Sequence, residues 1–571
     1  MFTAYFGIYL AKYAVYNVEE IKRLEVAVMK RVLAGVLAAA AVFGMTACGQ
    51  QADPSEGTVT GSVSGDALSG VLRVAAAADM TTMDVTKTTN DYMVPMNVFD
   101  RLFEVEVQPD GSSQIVPSLC ADHTVSEDGK TYHFVLKEGV TFSNGNPLTA
   151  SDVQYTFEWL LTAGGVNDDV ALEVEGAQAL KDGQADSLSG FRVIDDRTFE
   201  ITLTNANAGF LAELTGPAMS IVDGETMEQA KNFGIACEDT IGTGPYKITE
   251  WVVNDHYTLE YNDRYWGEEP SAKKVIVSII PDASTQNLMY QNGELDILDL
   301  ENLDSAIVES TYKTVYADRL LKASRVGITY MSFNANNPYL SDVNVRRAIQ
   351  MAVDVDTIVS SVYGGDAVVE NGIIPTGVWG HNDDLQRAPF DVEGAKALLK
   401  EAGYAEGEIS FEMAMDASST GNLQLVYQIV QQNLKEIGID AKIATYDASA
   451  WLDLRKSGQM DSFLGTWTMD YNDPANVMRT FFGSEQNAKI RSLNYADKAV
   501  MDRVAAASAI TDDAKRMQEY QDLEKKIIMD DAAWLPLLGN VHLFALGERV
   551  ESFVPYWAGF TNFYAKDVVL K

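Results

Sequence analysis

The segment 391–443 constrains the fold more than any other stretch of this chain. Asp391 can cap a helix in which Val392, Ala395, Leu398, Leu399 and Ala402 form one apolar stripe, closed by Gly403. A second stripe, Leu423, Val426, Ile429, Val430 and Ile437, runs to Gly438, and the alternating strand Ile439-Asp440-Ala441-Lys442-Ile443 follows. Helix, glycine and strand in succession is the rhythm of an α/β lobe. Residues 130–160 obey the same grammar. Tyr132, Phe134 and Leu136 share one face of a strand, Ser143-Asn144-Gly145-Asn146-Pro147 makes a turn, and Thr149 with Asp152 forms a capping box for a helix carrying Val153, Phe157 and Leu160. The acidic, Gly-rich stretch 162–189 has weaker periodicity and is expected to be a surface excursion.

Upstream, Met29–Cys48 reads MKRVLAGVLAAAAVFGMTAC. Lys30 and Arg31 head an apolar run too short to span a bilayer comfortably, and small residues precede a cysteine. Met45-Thr46-Ala47-Cys48 resembles a bacterial lipoprotein cleavage site. Residues 29–47 are therefore expected to be a signal peptide and Cys48 the lipidated first mature residue, anchored on the extracytoplasmic face of the cell membrane, at the cell surface or in the periplasm. A plain secretory signal with a chance cysteine is the alternative. The polar Gly/Ser-rich residues 49–70 fit a flexible tether, and residues 1–28 lie upstream of a complete signal, as a misassigned start would leave them.

Charge excludes one class of partner. The formal charge of −39 becomes −41 once residues 1–47, with five basic and three acidic groups, are removed, and no basic patch offsets it. Nucleic acid is therefore not an expected partner. Catalytic and metal-binding signatures are missing: there is no HExxH, CxxC or GxSxG, and the five histidines lack ligand spacing, so neither an enzyme nor a resident metal or cofactor is expected. Gly129-Lys130-Thr131 fits a hairpin turn better than a phosphate loop. Cys120 and Cys237 can pair in an oxidising compartment or remain two buried thiols.

Six ordered blocks carry a resemblance over the chain from about Val71 onward. They are Ile115–Phe157 (IVPSLCADHTVSEDGKTYHFVLKEGVTFSNGNPLTASDVQYTF), Ile241–Trp251 (IGTGPYKITEW), Tyr290–Ile297 (YQNGELDI), Tyr330–Val359 with SDVNVRRAIQMAVDVDTIV, Ile374–Gly403 with PTGVWGHNDDLQ and DVEGAKALLKEAG, and Trp467–Pro474 (WTMDYNDP). The chain resembles the family 5 extracellular solute-binding proteins that serve peptide, dipeptide and nickel ABC importers. The resemblance implies an α/β fold of the two-lobed, type II periplasmic-binding-protein kind (Venus-flytrap), with an extra domain inserted in the first lobe. The order of blocks places lobe I at 71–100, 240–325 and 537–571, the inserted domain at 101–239 and lobe II at 326–536. It further implies a monomer that closes on a peptide and delivers it to ABC permease subunits with their ATPase. A receptor for signalling peptides and a nickel-chelate binder are the alternatives.

The family's WxxD motif, matched here by Trp467-Thr468-Met469-Asp470, implies that Asp470 pairs with a peptide's α-amino group while Trp467 walls the pocket. Physics fits the role, since an α-amino group with a pKa of about 7.7–8.0 is mostly charged at neutral pH and needs a carboxylate when enclosed. Capping of the turn Asp470–Pro474 is the competing role for Asp470. Trp379 and Tyr330 are aromatic candidates for either cleft or core. Dipeptide binders of the family place an arginine after the strand matching Ile409–Met415, yet Asp416–Leu423 contains no basic residue.

Overall fold

Two crossing segments organise the molecule. The 13-residue strand Trp534–Leu546 pairs through Trp534–Leu538 with Gly327–Ser332 and through Leu538–Asn540 with Ala367–Val369. From Val541 onward its partners change to Leu320–Ser324 and Ile297–Asp299. The neighbouring chain makes the same passage between Leu320–Ser324 and Gly327–Ser332, and the Arg325 N–H donates to the Asn540 carbonyl (2.9 Å) at the level where the partners switch. The switch lies at Asn540/Val541, inside a continuous strand, whereas the order of blocks alone put the second crossing at 536/537. The computed structural model describes residues 68–571 apart from 89–90, 109–112, 420 and 560–561, so the expected signal peptide, Cys48 and nearly all of the tether lie outside the described residues.

On one side of the crossing stands a four-stranded sheet in the order Val71–Ala76, Lys274–Ile279, His256–Tyr261, Tyr246–Val252, its first pair parallel and the others antiparallel. Leu72, Val277, Leu259 and Tyr246 from its strands pack with Val98 and Phe99. The GTGPY block is explained here. A Cβ on Gly242 or Gly244 would come within 2.0 or 2.7 Å of the Val98 carbonyl oxygen, so only glycine lets the two backbones meet.

Residues between these strands build a second body. Its sheet runs Cys120–Val125, Thr131–Leu136, Thr198–Thr202, Phe191–Val193, all antiparallel. Tyr132, Phe134 and Leu136 are buried as their alternation requires, and the helix Ala150–Thr162 carries the Thr149–Asp152 capping box and buries Val153, Phe157 and Leu160. Here the sequence misled in one place. Residues 168–180 pack into the body, with short helices Asp169–Leu172 and Ala177–Lys181 burying Ala171, Ala177 and Leu180, while most of 181–187 is exposed. Small alanines bury well against a neighbouring helix but give almost no apolar periodicity. Cys120 and Cys237 are both free thiols, the former buried.

The other side of the crossing holds the parallel pair Ser410–Asp416 and Asp440–Tyr446, flanked by the helices Val392–Glu401 and Gly421–Glu436. Asp391 caps the first helix through the Gly394 N–H (2.8 Å), and Gly403 takes a φ of +95° after it. Ala395, Leu399, Val426 and Val430 meet Phe411, Met413 and Leu537 in one core. Among the described residues no helix is long and apolar enough to cross a membrane.

Candidate functional site

A cleft of about 1950 Å³ opens between these bodies. Its walls come from all three: Tyr92, Glu301, Arg325 and Asn562 from the first, Asp169, Glu173 and Glu213 from the second, and Trp467, Asp470, Asn476, Arg479 and Arg491 from the third. The volume exceeds the roughly 300–1,000 Å³ of ordinary small-molecule pockets, so it suits a long or hydrated ligand.

Trp467 and Asp470 stand at the end of the strand Leu464–Thr468 and just beyond it. Gly327 on the paired strand is required there, because a Cβ would lie 2.4 Å from the Trp467 carbonyl oxygen. One buried side chain orients both residues. Asn476, in the helix Ala475–Phe482, accepts from Trp467 Nε1–H (3.0 Å) and from the Asp470 N–H (3.3 Å) at Oδ1, and its Nδ2–H donates to Asp470 Oδ2 (2.9 Å). Asp470 Oδ1 has no hydrogen-bond partner among the described residues. The Asp470 side chain is open to the water of the cleft although the walls surround it, and this enclosure raises its pKa, opposed by the Asn476 amide and by the positive charge of Arg491. A cation brought to Asp470 would lower it again.

Turn capping falls to another residue. Asp473 Oδ1 accepts from the Ala475 N–H (2.9 Å), while its Oδ2 pairs with Arg516 (2.5 Å), and among the described residues Asp470 accepts from no backbone amide. The two remaining aromatic candidates lie elsewhere. Tyr330 is 2 % exposed and stacks on Trp534 with ring centroids 3.9 Å apart, a core position in a strand covered on both faces. Trp379 donates its backbone N–H to Asn472 Oδ1 (2.9 Å), and its ring lies 4.3 Å from the Arg516 guanidinium carbon, outside the cleft.

The cleft also carries an ionic bridge invisible to motif reasoning. Arg479, one turn beyond Asn476, reaches across to Glu173 (2.6 Å) and Glu213 (3.1 Å) of the second body, which Asn207 Nδ2–H also joins. Burial, then the nearby Glu173 charge, push the Glu213 carboxyl up to about 8. Two further contacts link the same bodies: the Ala208 N–H to the Ser508 carbonyl (2.7 Å), and Asn472 Nδ2–H to Ser113 Oγ (2.9 Å).

Residues 114–489 match the family model of the bacterial extracellular solute-binding proteins, family 5. The chain belongs to that family. Among family 5 relatives, the dipeptide-binding protein of Escherichia coli K12 is 30 % identical over 464 residues, covering 78 % of this chain and 84 % of that protein. Heme-binding protein A of Haemophilus influenzae is 27 % identical, covering 82 % and 87 %. Among solved structures, the periplasmic binding protein DppA of Helicobacter pylori in complex with the peptide STSA superposes with a TM-score of 0.68 at 27 % identity, over 88 % of this chain and 98 % of that one. The fold is accordingly the two-lobed α/β architecture of family 5 solute-binding proteins, which are components of transport systems.

Proposed function

We propose that this protein captures peptides in the cleft between its lobes and hands them to an ABC permease. The observation that carries this is the aimed carboxylate: Asp470 projects into the cleft beside Trp467, fixed by Asn476, with one oxygen left over for a ligand ammonium. The named relatives include a dipeptide-binding protein and a structure holding a peptide, which supports the same ligand class. The cleft's size suits main-chain recognition of an extended ligand with side chains in hydrated pockets. Members of the family are solute-binding components of transport systems, so the role proposed is binding without chemistry.

Closure follows from the two crossings. Lobe II pivots about Arg325–Val326 and Asn540–Val541, and a ligand touching both walls favours the closed form by its extra contacts. Cys48 carries the lipid that holds the receptor at the membrane. Changing Cys48 to Ser should leave the precursor unprocessed or release it from membranes, and unaltered attachment would refute the anchor. Mass spectrometry of small molecules that co-purify with the protein tests the ligand class: peptides with free amino termini support it, and their replacement by chelates or porphyrins would overturn it.

A further inference from the structure

Arg491 stands in the cleft without an acid. It follows the helix Glu485–Ile490, and its position is fixed by the buried Leu493, whose N–H donates to the Ala488 carbonyl (2.9 Å). The guanidinium carbon lies 4.8 Å from the Trp467 ring centroid and 5.3 Å from that of Phe481, so the group is stacked across the aromatic wall of the site. No carboxylate among the described residues comes within ion-pair distance of it. Its Nε is buried with no hydrogen-bond partner, and neither terminal nitrogen makes a hydrogen bond among the described residues. Arg455 repels it, and that residue stacks on Trp451 (5.4 Å) and has a buried Nε with no partner among the described residues.

This is a costly arrangement in a chain with 82 acidic and 43 basic residues. A guanidinium withdrawn from water is normally offset by a carboxylate, and here the stack on Trp467 offsets only part of the loss. A ligand entering the cleft can supply the missing partner. Arginine presents parallel N–H donors that match a carboxylate in a two-pronged pair, and stacking holds that fork in one plane. Asp470 shares the same wall and attracts Arg491 without bonding to it, so the wall offers one anionic and one cationic post to a single molecule.

We propose that Arg491 is a specificity-determining residue that receives a carboxylate of the ligand, making the preferred ligand one with a free ammonium and a free carboxylate. This rests on the peptide function above for the ammonium end alone. The carboxylate can be the peptide's C-terminus or an acidic side chain, and both present the same chemistry to the fork.

Calorimetric titration of the full chain with four probes separates the cases: trialanine, its C-terminal amide, its N-acetyl form, and Ala-Glu-Ala amide. Wild type should bind trialanine amide at least tenfold more weakly than whichever of trialanine and Ala-Glu-Ala amide brings its carboxylate to Arg491. R491Q should lose at least tenfold for that probe and stay within twofold for trialanine amide, while R491K, which keeps the charge on Trp467, recovers part of the preference. Restored binding of Ala-Glu-Ala amide assigns the carboxylate to a side chain, and continued weakness assigns it to the C-terminus. Native mass spectrometry of carried ligands on wild type and R491Q gives the same answer when no probe binds, since ligands lost only from R491Q should all bear carboxylates. Wild type that binds trialanine, its amide and Ala-Glu-Ala amide equally, or a carboxylate-free set of lost ligands, would overturn the proposal. If acetylation has no effect while amidation does, the ammonium reading fails and Arg491 stands. The reverse result, with Ala-Glu-Ala amide bound no more tightly than trialanine amide, sinks Arg491 alone, and because these comparisons use wild type they survive a variant that folds poorly.

Discussion

Replacing Asn476 with Leu keeps the branched shape and removes three hydrogen bonds at once. Two of these, from Trp467 Nε1–H and the Asp470 N–H, are bonds between neutral groups, each contributing about 0.5–1.5 kcal/mol, and the third, to the Asp470 carboxylate, about 1.5–3 kcal/mol. Both partners line a water-filled cleft, and water can replace part of what is lost, so the low end of the range applies and folding stability should fall by about 2.5 kcal/mol. The larger effect should be on binding. Asp470 would be free to rotate and Trp467 to tilt, and a mispositioned anchor that forfeits about 1.4 kcal/mol costs tenfold in affinity. Calorimetric titration with one co-purified peptide, alongside a thermal melt, measures both. Affinity within twofold of wild type would show that Asn476 does not set the geometry of the site.

Two other perturbations address pH and closure. Glu524 is buried, its Oε1 accepting from the Ile373 and Ile374 N–H groups, and burial raises its pKa from 4.5 to about 7, as it does for nearby Glu370. The folded state then holds a proton that the unfolded chain has released, so this group's contribution to stability falls as pH rises from about 4.5 through 7. Glu524→Gln should raise the melting temperature relative to wild type at pH 8 and change it little at pH 4.5; an equal difference at both would contradict the cause. Arg479→Ala removes the bridge to Glu173 and Glu213 and should enlarge the radius of gyration of the ligand-free protein in X-ray scattering, whereas an unchanged radius would mean the other contacts hold the bodies alone.

Local signals agreed with one another wherever large apolar side chains set the period. The capping box at Thr149 and Asp152, the strand Thr131–Leu136 and the helix Val392–Glu401 are therefore legible in the sequence. Legibility failed where burial is achieved by small residues, as at Ala171 and Ala177, and where a strand is covered on both faces, which hides Tyr330 in the core. At the site, the WxxD resemblance led to the wall formed by Trp467 and Asp470. Asn476, Arg479 and Arg491 were missed because their importance arises from contacts across the tertiary structure. A polar Asn set among Ala475, Val477 and Met478 on a buried helix was the one available hint.

The central claim is that Asp470 holds a ligand ammonium, and a double-mutant cycle on that contact tests it most directly. Losing one side of a desolvated charge pair costs about 3–5 kcal/mol, equivalent to a hundredfold or more in affinity. Calorimetry on wild type and Asp470→Ala, each with the free and the N-acetylated form of one co-purified peptide, gives all four corners. Acetylation and the substitution should each weaken binding by about that factor, and together by little more than either alone, because both break one interaction. Wild-type protein that binds the acetylated peptide as tightly as the free one would contradict the account.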